Sequence, residues 1–78
     1  MNNIIFKYSI KLKNKPVKEV EVNYYKLLNI LGYNNKKDRF GIPYNKANSP
    51  QILDILNILN SLDEVNNCNV FLNEQIIF

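Results

Sequence analysis

From Phe6 to Lys13 apolar and polar residues alternate, with Phe6, Tyr8, Ile10 and Leu12 on one side and Lys7, Ser9, Lys11 and Lys13 on the other. This period of two is that of a strand with one buried face. Val17 to Asn23 alternates in the same way. Folded back around a loop Lys15-Pro16-Val17, the two segments place Leu12 opposite Val20 and Ile10 opposite Val22, with Lys13 opposite Glu19 and Lys11 opposite Glu21. Each such cross-strand pair contributes roughly 0.2 to 1 kcal/mol, so this register is the predicted one. The same residues also admit a helix opened by Pro16, with Val17, Val20, Tyr24, Leu27, Leu28 and Leu31 on one stripe. The density of valine favours the strand. A shorter helix then runs from Tyr24 to Leu31, capped by Asn23 and closed by Gly32.

Tyr33 to Asn48 has no periodicity, contains Gly41 and Pro43, and reads as a loop. Ser49 caps and Pro50 opens a second helix that runs to about Leu62, with Ile52, Ile55, Leu56, Leu59 and Leu62 as its main stripe. Leu53 and Ile58 widen the apolar arc, which points to cover on more than one side: the helix is expected to pack between the sheet and the first helix, with a homodimer or partner surface on helix 50–62 as the alternative. Asn66 to Asn69 reads as a turn. Val70 to Phe78 reads as a last strand, or as a tight hairpin about Asn73-Glu74. The expectation is one α+β domain over residues 1–78, a small three-stranded, mainly antiparallel sheet (N-terminal hairpin plus C-terminal strand) packed against two helices.

Length limits this domain to a lean core, since a chain of 78 residues buries only about 60% of its unfolded surface. Fifteen Asn, ten Ile and nine Lys are residues of A/T-rich codons, which suggests a phage, a plasmid or a low-GC bacterium as the source. Cys68 stands alone, no Asn-x-Ser/Thr acceptor occurs, and the apolar start is short and broken by Lys7, so a cytoplasmic protein with no membrane contact is expected.

Charge is divided along the chain. All ten Lys and Arg lie between Lys7 and Lys46 with only Glu19, Glu21 and Asp38 against them, a balance of 10 − 3 = +7; beyond Lys46 there are four acids and no base. An anionic partner would be drawn to the first part, unless the two parts face and neutralise each other.

The chemistry available is narrow. With no His, there is neither the commonest general base nor a triad, and most zinc and iron sites are excluded. Two glycines do not make a phosphate-binding loop, and neither Asp63/Glu64 nor Glu19/Glu21 forms a carboxylate dyad. Cys68 without a His partner suits a core or turn position. No catalytic residue, metal or cofactor is expected.

What remains is Tyr33, Lys36, Lys37, Arg39, Phe40, Tyr44 and Lys46, cations interleaved with rings in one loop. Ammonium and guanidinium groups displace counterions from phosphate while rings stack on bases. Tyr and Arg are equally enriched where proteins grip proteins. The rings also suit a plainer role, turned inward to pin the loop. The leading expectation is a non-enzymatic intracellular binding protein, phage- or plasmid-encoded, that inhibits or modulates a larger host macromolecule such as a defence complex, its partner being a protein or nucleoprotein. An RNA- or DNA-binding module stands second. A ribonuclease toxin of the His-free type, working with Lys, Arg and Tyr, stands third.

Overall fold

A computed structural model describes residues 3–78; Met1 and Asn2, part of the apolar start, lie outside the described residues. The chain forms strands β1 (Ile4–Ile10) and β2 (Lys18–Asn23), helix α1 (Tyr24–Leu31), a 3-10 turn at Tyr44–Lys46, helix α2 (Ser49–Asn60), and strands β3 (Val65–Leu72) and β4 (Gln75–Ile76). The α+β class is as predicted, but the sheet has four strands in the order β2-β1-β3-β4, every neighbouring pair antiparallel.

The extra strand comes from two features. Asn66 to Asn69 is no turn: it lies inside β3, where Asn66 pairs with Ser9 and Asn69 with Lys7, so that Asn67 and Cys68 together stand opposite Tyr8. Asn67 takes a left-handed φ of 56° at this bulge, which moves the buried set from Val65 to Cys68, Val70 and Leu72 and hides the alternation from a period-two reading. The tight hairpin about Asn73-Glu74 does form, both residues having positive φ (49° and 71°) as a two-residue hairpin turn requires.

The β1–β2 hairpin forms in a different register from the predicted one. Phe6 pairs with Val22, Lys7 with Glu21, Tyr8 with Val20, Ser9 with Glu19 and Ile10 with Lys18. The displacement is an even number of residues, so the inner face is unchanged. The predicted register would have carried Phe6 past the end of β2, opposite Lys26. The observed one buries Phe6 completely beneath Tyr24, ring centroids 6.2 Å apart. Burying a Phe contributes about 1.5–3 kcal/mol, more than the two charge pairs given up. Lys11 to Val17 becomes the connection, its Lys11 ammonium donating to the carbonyls of Leu12 and Lys15.

The helix from Pro16 is excluded, because β2 occupies that stretch and Asn23 starts α1 as predicted. Its Oδ1 accepts from Lys26 N at 2.9 Å, and Gly32 closes the helix at φ 77° while Tyr33 N donates to Leu28 O at 2.7 Å. The cap of α2 lies one residue earlier than predicted, at Asn48, because Gln51 completes a capping box with it: Gln51 N donates to Asn48 Oδ1 at 2.9 Å and Asn48 N to Gln51 Oε1 at 3.2 Å. The helix ends at Asn60, leaving Leu62 exposed beyond it.

Both helices lie on one face of the sheet. Ile4, Phe6, Val22, Val65, Cys68 and Val70 from the strands meet Tyr24, Leu27 and Leu28 of α1 and Ile52, Ile55, Leu56 and Leu59 of α2. Burial pushes the Cys68 thiol up to about 11, so it is protonated and unreactive at neutral pH. The other face carries Lys7, Glu19, Glu21, Asn69 and Phe71, with the Lys7 ammonium 4.6 Å from the Phe71 ring centroid. Among the described residues no helix is long and apolar enough to cross a membrane.

Candidate functional site

The stretch between the helices that reads as a structureless loop contains a small hairpin. Lys37 bridges Pro43, Tyr44 N donates to Lys36 O at 3.1 Å, Asp38 N to Ile42 O at 2.9 Å, and Gly41 N to Asp38 O at 3.0 Å. Gly41 sits at φ 80°, the left-handed position that closes a three-residue hairpin loop. A side chain there would be strained. Asp38 holds the turn from within, its Oδ1 accepting from Phe40 N and Ile42 N, both at 2.9 Å.

The hairpin is fixed to the body by one buried polar side chain. Gln51, fully buried in the first turn of α2, donates from Nε2 to Asp38 Oδ2 at 2.9 Å, to Pro43 O at 2.9 Å and to Ile42 O at 3.2 Å. Its Oε1 serves the capping box, so the same amide starts α2 and anchors the hairpin. A second tie runs from Tyr24, whose Oη donates to Tyr44 O at 2.8 Å. Tyr44 in turn donates to Asp54 Oδ2 at 3.2 Å, and burial raises its pKa together with that contact.

The seven sequence-predicted residues thus divide. Tyr44 is buried and Tyr33 half-buried, meeting edge to face at 5.3 Å, and they pin the hairpin to the core. The Lys36 ammonium lies 5.0 Å from the Tyr33 ring centroid. Lys36, Lys37, Arg39 and Lys46 are exposed. Phe40 stands at the tip, 69% exposed, the most exposed large apolar side chain among the described residues, with the Arg39 guanidinium 5.1 Å from its ring centroid. Ile42 adds partly exposed apolar surface beside it.

Asp38, Gln51 and Tyr24 support this site and are not singled out by a search for charged and aromatic clusters. Two local signals did mark Asp38 and Gln51: Asp three residues before Gly is a turn signal, and Gln three residues after Asn is a capping box. Among the described residues no pocket opens and no cluster of three potential metal ligands forms. Compared with family models, curated proteins and solved structures, the chain matches none.

The Asp38 carboxyl is held below the ordinary carboxylate range, first by the Ile42 N–H and then by Gln51 and Phe40. A carboxylate with a lowered folded pKa stabilises the fold above its unfolded value of about 4 and loses that contribution as pH falls through the lowered one. The hairpin therefore loosens selectively in acid. Protection of the Phe40 and Ile42 amides, measured against the unstructured exchange rate at the same pH, should fall below about pH 4 while β1 amides stay protected. In Asp38→Asn the loss of protection should be present already at neutral pH, because an amide at this position presents Nδ2 or loses an acceptor towards Gln51 Nε2. Uniform exchange across hairpin and sheet at every pH would contradict this account.

Proposed function

We propose that this is a small non-enzymatic binding protein that docks onto a larger macromolecule, a protein or nucleoprotein, through the tip of the 36–44 hairpin. The observation that carries this reading is Phe40, held 69% exposed on a turn that Asp38 ties from within and Gln51 fixes to α2. An aromatic ring kept in water at a rigid tip has its ordering cost met before binding, which is the anatomy of an interface anchor. Arg39 over its ring and Lys36 and Lys37 on the hairpin supply charge for acidic groups around an apolar pocket. A chain of this size acts by occupying a site on the larger molecule, as an inhibitor or modulator.

Ring placement favours a protein surface over bare nucleic acid as the contact. Tyr44 is buried and Tyr33 half-buried, so base stacking is left to Phe40. Affinity capture of the partner from the source cell tests the proposal. Phe40→Ala is expected to weaken capture about 5- to 150-fold, the 1–3 kcal/mol of a buried ring, with an unchanged melting curve. Lys36→Ala/Lys37→Ala/Arg39→Ala should weaken it too. Salt separates the two contacts: four cations on phosphate predict about a hundredfold loss between 50 and 200 mM salt, and an apolar anchor a much smaller one. A captured partner held equally well by Phe40→Ala would refute the tip as the working surface.

A further inference from the structure

The sheet ends unequally. One edge is β4, two residues long and closed by the Asn73-Glu74 turn. The other is β2, six residues long, paired only with β1 in a register without a bulge. A free edge presents a row of unpaired N–H and C=O groups, and proteins blunt it by shortening it, bulging it, inserting proline or charging it. β2 uses charge alone.

The sign of that charge is unexpected for this chain. Up to Lys46 there are ten cations and three acids, and one of the acids, Asp38, is engaged inside the hairpin turn. The other two, Glu19 and Glu21, stand exposed on the outer face of the edge strand. On the β1 side Glu21 is opposite Lys7, but Glu19 is opposite Ser9, and among the described residues no strand pairs with β2 on its other side. The inner face of the same strand starts on the exposed Lys18, opposite Ile10, and is apolar beyond it, with Val20 half-buried and Val22 buried in the layer that Tyr24 and Tyr25 of α1 join.

These two faces define what pairs with the edge. A second copy does not fit. Antiparallel pairing of two β2 strands keeps inner face with inner face only if it centres on a residue. Centred on Val20 it puts Glu19 against Glu21 twice, centred on Glu19 or Glu21 it puts that residue against itself, centred on Val22 it pairs only residues 21–23 of each strand, and centred on Lys18 it sets that lysine against itself.

We infer that the free edge of β2 is a docking site for an extended peptide segment of a partner, in which basic and apolar residues alternate. Its Lys or Arg side chains lie beside Glu19 and Glu21, its apolar side chains extend the layer of Val20 and Val22 under α1, and its backbone completes a fifth strand. The site is separate from the hairpin tip.

The test uses three short peptides with blocked ends: Lys-Val-Lys-Val-Lys-Val, its block isomer Lys-Lys-Lys-Val-Val-Val, and Glu-Val-Glu-Val-Glu-Val. Titrated into the labelled protein, the alternating basic peptide should bind saturably, shift amides of residues 18–23 and slow their exchange. The block isomer should bind at least tenfold more weakly and the acidic peptide not at all. The charge-reversed variant Glu19→Lys/Glu21→Lys should lose the basic peptide and gain the acidic one, and Glu19→Gln/Glu21→Gln, the gentler change, should weaken the basic peptide at least fivefold. Phe40→Ala should bind it as the wild type does, which separates this site from the tip. Equal affinity for the two basic isomers, shifts outside β2, or no saturation at millimolar peptide would each overturn the inference, and the wild-type titrations decide it even where a variant fails to fold.

Discussion

Phe6→Ala is expected to lower stability by about 3 to 5 kcal/mol. Phe6 is fully buried at the centre of β1, the strand that pairs with both β2 and β3, and its ring stacks on Tyr24. Removing the ring empties the space between sheet and α1 and takes away the contact that fixes the hairpin register. For 78 residues a net stability of roughly 0.05–0.15 kcal/mol per residue leaves about 4 to 12 kcal/mol in all. The loss is therefore a large share of the whole. Urea unfolding monitored by circular dichroism measures it. By contrast Leu12→Ala, in the exposed 11–17 connection, should stay within about 0.5 kcal/mol. A Phe6→Ala protein as stable as the wild type would show that the core is not organised about β1.

The second large effect belongs to Gln51. Gln51→Leu keeps the volume and the helical position but removes the partners of Asp38 Oδ2, of the Ile42 and Pro43 carbonyls and of Asn48 N. Each buried polar group left without a partner costs about 1–3 kcal/mol. Several of these groups are partly exposed and can turn to water, so a total of about 2 to 4 kcal/mol is expected. The damage should be local as well as global. Hairpin amides from Asp38 to Tyr44 should lose exchange protection before the sheet does, and partner capture through Phe40 should fall even at temperatures where the fold persists. Gln51→Glu should be worse than Gln51→Leu near neutral pH, since it sets a second carboxylate against Asp38 and two carbonyls, and should recover in part as the pH is lowered towards the carboxylate range. If Gln51→Leu left hairpin exchange and capture unchanged, the support assigned to this amide would be wrong.

Local rules written in adjacent residues were legible without the structure. Asn23 and Gly32 bound α1 where propensity and capping place them, and the stripe Ile52, Ile55, Leu56 and Leu59 is buried as its spacing predicts. The inner and outer faces of β1 and β2 were readable too, because a period of two survives any even shift of register. The loop was legible as a place where cations and rings gather, and Lys36, Lys37, Arg39 and Phe40 do share one hairpin.

Long-range competition was not legible. Which residues of β1 face β2 depended on Phe6 finding Tyr24, a choice worth more than the charge pairs that the sequence displays. The bulge at Asn67 exists because β3 must keep Val65 and Val70 both inside while pairing with β1, and no local pattern announces it. The division of the rings, with Tyr44 inward and Phe40 outward, followed from Gln51 and Tyr24 reaching across from the helices to hold the hairpin backbone. By itself, the sequence determined the class of fold, the faces of its elements and the stretch that holds the candidate site, since these follow from periodicity and capping within a few residues. Tertiary structure alone decided the register, the extension of β3 through its bulge and which ring stands exposed, since each turns on burial energies between residues far apart in the chain.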